Sequence, residues 1–482
     1  MIEIELVELI NRIQRVKAES QIIELKAAHK GCPKKLYDTL SAFSNQDSGG
    51  IIIFGLDEKE NYKIVGVYDA QDLINKVNEQ CKQMIPVVRP MFTIVQLYGV
   101  NVVSAEIPGI DISERPCYYG GVGRVKGSYI RSGDSDEPMS EYEIYSYEAY
   151  RKKYEDDVRI NEKAAMDTVD IIQLEKYLEI IKENNPKLSK LSDDQIRQFL
   201  NMVVDGKPTL VCILLFSIYP QMLYPQYTIN AMVVPGYEKG DISLDGSRFI
   251  DNRRIEGTIF EILEDSIKFL QKNMRIKTVI DPNTGKRIDK LEYPIVALRE
   301  AVLNALVHRD YSIHTQSMPI EIVMYKDRIE IKNPGGLYGR LTIDKLGKIQ
   351  PDTRNPLLAR ALETLKITEN RYSGIPTIQR ELKEAGLTEA KFLNSRNEFV
   401  VTFYNAYDNP DKLEIEPSKI AILGFCKQPR SRKEIGDFLG KTTIYYVTKQ
   451  FINPLLKSGE LKMTIPEYPK SKNQKYYSHM EA

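Results

Sequence analysis

Residues 300–311 read Glu-Ala-Val-Leu-Asn-Ala-Leu-Val-His-Arg-Asp-Tyr. The spacing of the apolar residues predicts an amphipathic helix. Glu300 and Asn304 stand four positions apart and share one face, leaving Val302, Leu303 and Leu306 to pack elsewhere. A carboxylate and a carboxamide one turn apart suit a phosphate-bound Mg²⁺ ion. The amide oxygen can ligate a hard cation, and the carboxylate can orient or deprotonate a water. The same spacing fits an ordinary amphipathic helix with a polar edge, so the flanking sequence has to decide.

Downstream, residues 318–333 alternate as a β-hairpin around Lys326-Asp327, and Asn333-Pro334-Gly335-Gly336 breaks the second strand. Glycines there let the backbone approach an anion with its N–H groups as donors. A helix is expected over about 356–365 and a strand over 398–404. Upstream, 209–218 reads as a buried apolar strand, 227–234 as another, 257–274 as a helix and 281–285 as a turn. These segments read as the front half of one domain over 151–405, with its core at 291–405.

The first 150 residues read as a separate α+β unit. A helix with Leu6, Leu9, Ile10, Ile13 and Val16 on one side is followed by a strand over 21–27. Pro33 is placed to start a second helix. A Ser-Asn-Gln-Asp-Ser-Gly-Gly turn then leads into the buried-strand run Ile51-Ile52-Ile53-Phe54. A short strand near 64–67, a helix over 73–84 and strands near 91–97, 101–107 and 125–131 complete it. After a polar hinge at 408–411, residues 412–482 read as three helices (418–426, 431–439, 443–456) and two strands (461–465, 474–478). Ser431 and Glu434 form a capping box at the second of these helices. Three helices with a β-wing make a winged helix-turn-helix.

The quoted run, E-x-x-x-N-A-x-x-H-R-D-Y, resembles the N-box of the GHKL ATPases. Its wording is similar to a narrower bacterial branch that joins such an ATPase-like α/β sandwich to a Schlafen AlbA-like domain. Glu330 to Leu337, Arg354-Asn-Pro-Leu-Leu-Ala and Arg371-Tyr-Ser-Gly-Ile-Pro-Thr-Ile resemble the same branch's glycine turn and lid region. The resemblance implies ATP with Mg²⁺ or Mn²⁺, Asn304 as metal ligand and Glu300 as catalytic base. It also implies Asn333, Gly335, Gly336, Arg354 and Gly374 as nucleotide contacts. In the GHKL pattern D-x-G-x-G an Asp reads the adenine amino group. Here Asn333 holds that place, which leaves base specificity open.

Glu19-Ser20, Glu24-Leu25-Lys26, Ala42-Phe43-Ser44-Asn45, Gly49-Gly50 and Phe54-Gly55-Leu56-Asp57 resemble the Schlafen AlbA-like domain over roughly residues 5–135. In nucleolytic members, carboxylates at the matching places form a metal site. Glu19, Glu24 and Asp57 would be those ligands, with Lys26 steadying the developing charge. The plainer reading pairs Glu24 with Lys26 on the sheet and has Asp57 shape a turn. Arg124, Lys126 and Arg131 are expected to meet nucleic-acid phosphates.

Formal net charge is zero, but residues 417–480 hold twelve Lys/Arg against four acids, 12 − 4 = +8, so the rest carries −8. A basic terminal module on an acidic body suggests a polyanion partner, DNA or RNA, met by Tyr445, Lys449, Lys470, Lys472 and Lys475. Hydrophobic content of 42% and charged content of 28% are those of a globular domain protein, and no run of 18 apolar residues suggests a membrane span. Five scattered Cys without a C-x-x-C pair, and no basic, apolar leader, point to the cytoplasm and away from disulfide or zinc scaffolds. Gly436 to Thr442 is one residue short of a P-loop and lies between helices, so it is set aside. The expectation is an α+β multidomain, homo-oligomeric, nucleotide-responsive nucleic-acid-binding regulator. The alternative is a metal-dependent endoribonuclease of a defence system.

Overall fold

The computed structural model describes residues 1–17, 20–243, 245–280, 287–368, 374–395, 397–405, 421–439, 447–466, 471 and 474–478. The expected turn at 281–285 and the hinge at 408–411 lie outside them.

In the N-terminal part the chain forms α1 (Glu3–Val16), β1 (Ile23–Lys26), α2 (Tyr37–Ser44), β2 (Gly50–Phe54), α3 (Ala70–Cys81), β3 (Met91–Leu97) and β4 (Val100–Ile107). The strands build a four-stranded sheet in the order β1-β2-β4-β3, parallel between β1 and β2 and antiparallel elsewhere. Strand alternation splits its apolar side chains between two cores. Ile52 and Phe54 pack with Leu36, Leu40, Leu73 and Val77 beneath α2 and α3, whereas Ile53 packs with Leu6, Ile10 and Ile13 of α1. Asn45 at the end of α2 is a buried staple. Its amide donates to the carbonyls of Cys117 and Tyr129, and its oxygen accepts from the Cys117 N–H. The strand expected near 125–131 is shorter: residues Gly123–Gly127 make one helical turn, and Tyr129–Ser132 then pairs with Ser135–Pro138. Next comes α4 (Glu141–Lys152), opened by a Ser140–Glu143 capping box.

The following stretch supplies α5 (Leu210–Phe216), β5 (Ile229–Val233), β6 (Asp251–Ile255), α6 (Ile259–Asn273), α7 (Ile295–His308), β7 (Ile320–Met324), β8 (Arg328–Pro334), α8 (Pro356–Thr364), α9 (Gly374–Glu384), β9 (Lys391–Asn394) and β10 (Glu398–Tyr404). Six strands form one sheet in the order β6-β5-β7-β8-β10-β9, with only the β5–β7 pair parallel. One continuous apolar core runs from Ala164 to Phe403. Residues 210–216 correct an expectation, being helix where a strand was read. Every residue of that run is buried, so burial gives it no alternation to separate the two periods. In the last part, a helix over 421–425, the helix Arg432–Phe438 and a helical stretch over 447–457 surround a three-stranded antiparallel sheet. The sheet order is Arg430–Ser431, Lys475–Ser478, Leu461–Met463, and the Ser431–Glu434 capping box is present.

Two buried polar residues fix how α7 meets α8. Asn355 donates to the carbonyls of Val307 and Arg309 at 2.8 Å each, closing the end of α7. Asp157, fully buried, accepts from the N–H groups of Leu357 and Leu358 at 2.8 and 3.1 Å and so caps the start of α8 from a distant segment. Its other oxygen has no hydrogen-bond partner. Burial lifts its carboxyl from 3.8 to about 6, against the opposing pull of the two amides. Between pH 4 and 6 the folded chain therefore holds more protons than the unfolded one, and stability falls as pH rises through that window. Asp157→Asn keeps an acceptor for both amides without the charge. It should match the wild-type melting temperature near pH 4 and exceed it at pH 8, by up to about 3 kcal/mol of unfolding free energy. Denaturant unfolding across that pH range checks the difference.

Candidate functional site

Helix α7 is apolar on nearly all sides: Ala297, Leu298, Ala301, Val302, Leu303, Ala305, Leu306 and Val307 are buried. The two-sided helix expected from the sequence is thus a core helix with a narrow polar edge. That edge is Glu300 and Asn304, both half-buried, with the Asn304 amide donating to Glu300 Oε1 at 3.1 Å. The first residue of α9, Gly374, lies directly against them. A Cβ there would collide with Glu300 Oε1 and stand 2.9 Å from Asn304 Nδ2. Arg371, Tyr372 and Ser373, quoted above with Gly374, lie outside the described residues.

Facing this edge is the end of β8. Asn333 is 5% exposed, and its Oδ1 has no hydrogen-bond partner. Gly335 follows with φ +94°, a conformation that L side chains rarely adopt, and a Cβ there would sit 2.6 Å from Asp310 Cβ. Asp310 is fully buried, ion-paired with Arg354, and accepts from Tyr142 Oη at 2.6 Å and the Ser312 N–H at 2.8 Å. Burial alone would raise the Asp310 carboxyl, but Arg354 and the hydrogen bonds outweigh it and hold it below the usual carboxylate range. Arg309 is also buried, its guanidinium 4.3 Å from the Tyr227 ring centre and donating to the Thr315 carbonyl at 3.1 Å. Arg309 and Asp310 are therefore framework residues of the His-Arg-Asp run.

Glu300, Asn304, His308, Asn333, Gly335, Gly336, Arg354 and Gly374 all line one cavity of about 860 Å³. The accessible surface of His308 is cavity wall. The protein around it, with Arg354 adding repulsion, lowers the pKa of its imidazole. Three further cations line the cavity, Arg360, Lys366 and Arg380. Sequence reading missed them because they occupy ordinary helical or turn positions, and only the fold gathers them.

The N-terminal candidates are differently placed. Glu24 bonds Lys26 Nζ at 2.5 Å and Arg131 at 2.9 Å. Arg131 also pairs with Asp136 at 2.8 Å and donates to the Ile23 carbonyl at 3.1 Å. Its guanidinium is buried, which corrects its expected role as a surface phosphate contact. Arg124 is ion-paired with Glu148 of α4, whereas Lys126 is exposed. Asp57 accepts from the Lys59 N–H at 3.0 Å and shapes a turn. Glu19 lies outside the described residues, among which no group of three His, Cys, Asp or Glu is arranged to hold a metal ion. In the last part Lys449 and Lys475 are exposed, while Tyr445, Lys470 and Lys472 lie outside the described residues. No described helix is long and apolar enough to cross a membrane.

Two family models match the chain. Residues 19–140 match the Schlafen AlbA_2 model, and residues 317–403 match the HATPase_c_4 model, described as "Putative ATP-dependent DNA helicase recG C-terminal". The chain thus joins a Schlafen AlbA-like segment to an ATPase-like segment. Among solved structures it is similar to the DIP2311 protein of Corynebacterium diphtheriae, with 17% identity over 94% of this chain and 92% of that one, at a TM-score of 0.40. It is also similar to the N-terminal domain of a protein of Nitrosomonas europaea described as "Putative ATP-dependent DNA Helicase RecG-related Protein", with 27% identity over 28% of this chain and 92% of that one, at a TM-score of 0.23. No curated protein matches.

The two glycines make opposite forecasts. Gly335→Ala forces a strained φ and presses on the buried Asp310, and should lower stability by about 1–3 kcal/mol. Gly374→Ala meets only the ends of two flexible side chains, so it should cost less than about 1 kcal/mol while displacing Glu300. Paired thermal melts check the contrast.

Proposed function

We propose that the cavity binds ATP with a divalent cation, and that the protein is a nucleotide-responsive regulator that binds nucleic acid. The observation that carries this is the unpartnered Asn333 oxygen, buried beside a glycine turn and facing the Glu300–Asn304 edge. A buried acceptor without a partner costs free energy, and a ligand amino group would remove that cost. A carboxamide offers one acceptor and one donor, which matches the adjacent amino group and ring nitrogen of adenine. Asparagine can therefore stand where the related pattern has Asp.

The donor set fits a hard cation: the carboxamide oxygen of Asn304 beside a carboxylate. Mg²⁺ or Mn²⁺ held there would neutralise phosphate charge. Asn304 would be its ligand, and Glu300 would orient a water. The Gly335 and Gly336 backbone would border the nucleotide. Arg360, Lys366 and Arg380 would attract the polyphosphate, while Arg354, held by Asp310, sets the position of the glycine turn. We read the fold of this region as a GHKL-like sandwich within 151–405, and residues 412–482 as a winged helix whose basic face meets nucleic-acid phosphates.

A nuclease reading of Glu19, Glu24 and Asp57 would require Glu24 to leave Lys26 and Arg131. The regulator reading asks for no such rearrangement.

ATP or ADP with Mg²⁺ should raise the melting temperature, by the equivalent of about 2.7 kcal/mol at a hundredfold excess over the dissociation constant. Asn304→Ala should abolish the metal-dependent part. Asn333→Leu should abolish the shift altogether, and Glu300→Ala should keep it while removing any hydrolysis. A wild-type chain whose melt ignores both nucleotides would end the ATP reading. Binding to duplex DNA should weaken with salt by about −0.9 in log–log slope per phosphate engaged, and charge reversal at Lys449 and Lys475 should flatten that slope. Anisotropy titrations at several salt concentrations measure it.

A further inference from the structure

The N-terminal sheet has two unlike edges. At β1 the outward-facing main-chain groups of Ile23 are both satisfied, the N–H by the Ser20 carbonyl at 2.9 Å and the carbonyl by buried Arg131 at 3.1 Å. At β3 the opposite holds. Strands β3 and β4 are joined by the two-residue turn Tyr98-Gly99, both at positive φ, with Leu97 opposite Val100. In such a hairpin the closing pair is hydrogen-bonded, so Leu97, Val95, Thr93 and Met91 address β4. Phe92, Ile94 and Gln96 therefore turn their N–H and C=O groups outward. Among the described residues no other main-chain hydrogen bond reaches them.

Edge strands are ordinarily guarded by charge, proline or cover. The six-stranded sheet follows that pattern: edge strand β6 carries Asp251, Arg253 and Arg254, and edge strand β9 carries Lys391. Strand β3, Met-Phe-Thr-Ile-Val-Gln-Leu, has seven residues with no charge and no proline. It leaves Met91 65%, Ile94 39% and the adjoining Tyr98 89% exposed.

We infer that β3 is the pairing edge of a homodimer, joined antiparallel to β3 of a second copy about a two-fold axis at Ile94. The occupant follows from the strand itself. Centred on Ile94, the outward groups of Ile94 meet their own counterparts, and those of Phe92 meet Gln96 of the second copy. Ile94 then packs on Ile94, and Met91 lies opposite Leu97. In this register Tyr98 falls opposite Pro90, so the exposed Tyr98 ring gains an apolar neighbour. No like charges meet. The two four-stranded sheets become one, and the interface is self-complementary, as two-fold symmetry requires. This inference is independent of the ATP reading, and its test involves no nucleotide.

Light scattering of the full chain at micromolar concentration should give twice the chain mass. Gln96→Pro removes an outward N–H while sparing the hairpin, and Ile94→Lys places like charges on the axis. Each should halve the mass and leave the cooperative melt and far-ultraviolet spectrum in place. Ile94→Cys supplies a positive test that does not depend on losing anything. Hydrogen-bonded antiparallel partners lie about 5.5 Å apart at Cα, within disulfide reach, so mild oxidation should cross-link this variant to a second copy and leave the wild type uncross-linked. A monomeric wild type overturns the inference. So does a dimer that survives both Gln96→Pro and Ile94→Lys, or an Ile94→Cys chain that dimerises without cross-linking.

Discussion

Asp310 and Arg354 form a buried ion pair on which several elements converge. Asp310 follows the end of α7, Arg354 precedes α8, and the Tyr142 hydroxyl reaches Asp310 from α4. The glycine turn after β8 approaches so closely that a single methyl on Gly335 would press on the Asp310 side chain. Desolvating two charges costs several kcal/mol each, and their attraction offsets this only when the remaining hydrogen-bonding capacity is also used. Here the Tyr142 hydroxyl and the Ser312 N–H use it on the carboxylate side. Losing one partner would leave a buried charge uncompensated, a deficit of about 3–5 kcal/mol. The glycine turn in the cavity wall is thus tied to this pair, which Tyr142 also holds from a segment far away in sequence.

That arrangement explains why the cavity residues divide into two kinds. Glu300, Asn304 and Asn333 present polar atoms to the cavity from a half-buried helix edge and a strand end. Arg309, Asp310, Asn355 and Asp157 turn polar atoms inward, onto main-chain carbonyls and amides and, for Asp310, onto Arg354. Both kinds look alike as letters in a sequence.

The helix bearing Glu300 and Asn304, the hairpin over 318–333, the glycine turn and most strands of the first 150 residues were legible, because local period and turn chemistry specify them. The run at 210–216 was not. A short stretch buried on every side has no face to declare, and its leucines favour helix once tertiary packing permits. Arg131 was misread because a strand arginine beside glycines resembles a surface cation. Only the fold reveals Glu24 and Asp136 closing on it. Arg360, Lys366, Asp157 and Tyr142 acquire their places through contacts far apart in sequence, such as the 168 residues between Tyr142 and Asp310. No local pattern encodes such pairings.

The guanidinium that seals the Ile23 carbonyl also limits growth. A sheet with two open edges can add copies without end, and heterologous strand addition of that sort produces fibres. With the outward groups of Ile23 on the β1 edge held by Ser20 and Arg131, the inferred pairing extends this sheet from β3. Pairing that consumes β3 on both molecules would leave a third copy only the β1 edge, where Ile23 is already satisfied. On the inferred pairing, the buried arginine would act as a chain terminator for β-assembly, limiting it through a residue remote from the growing face.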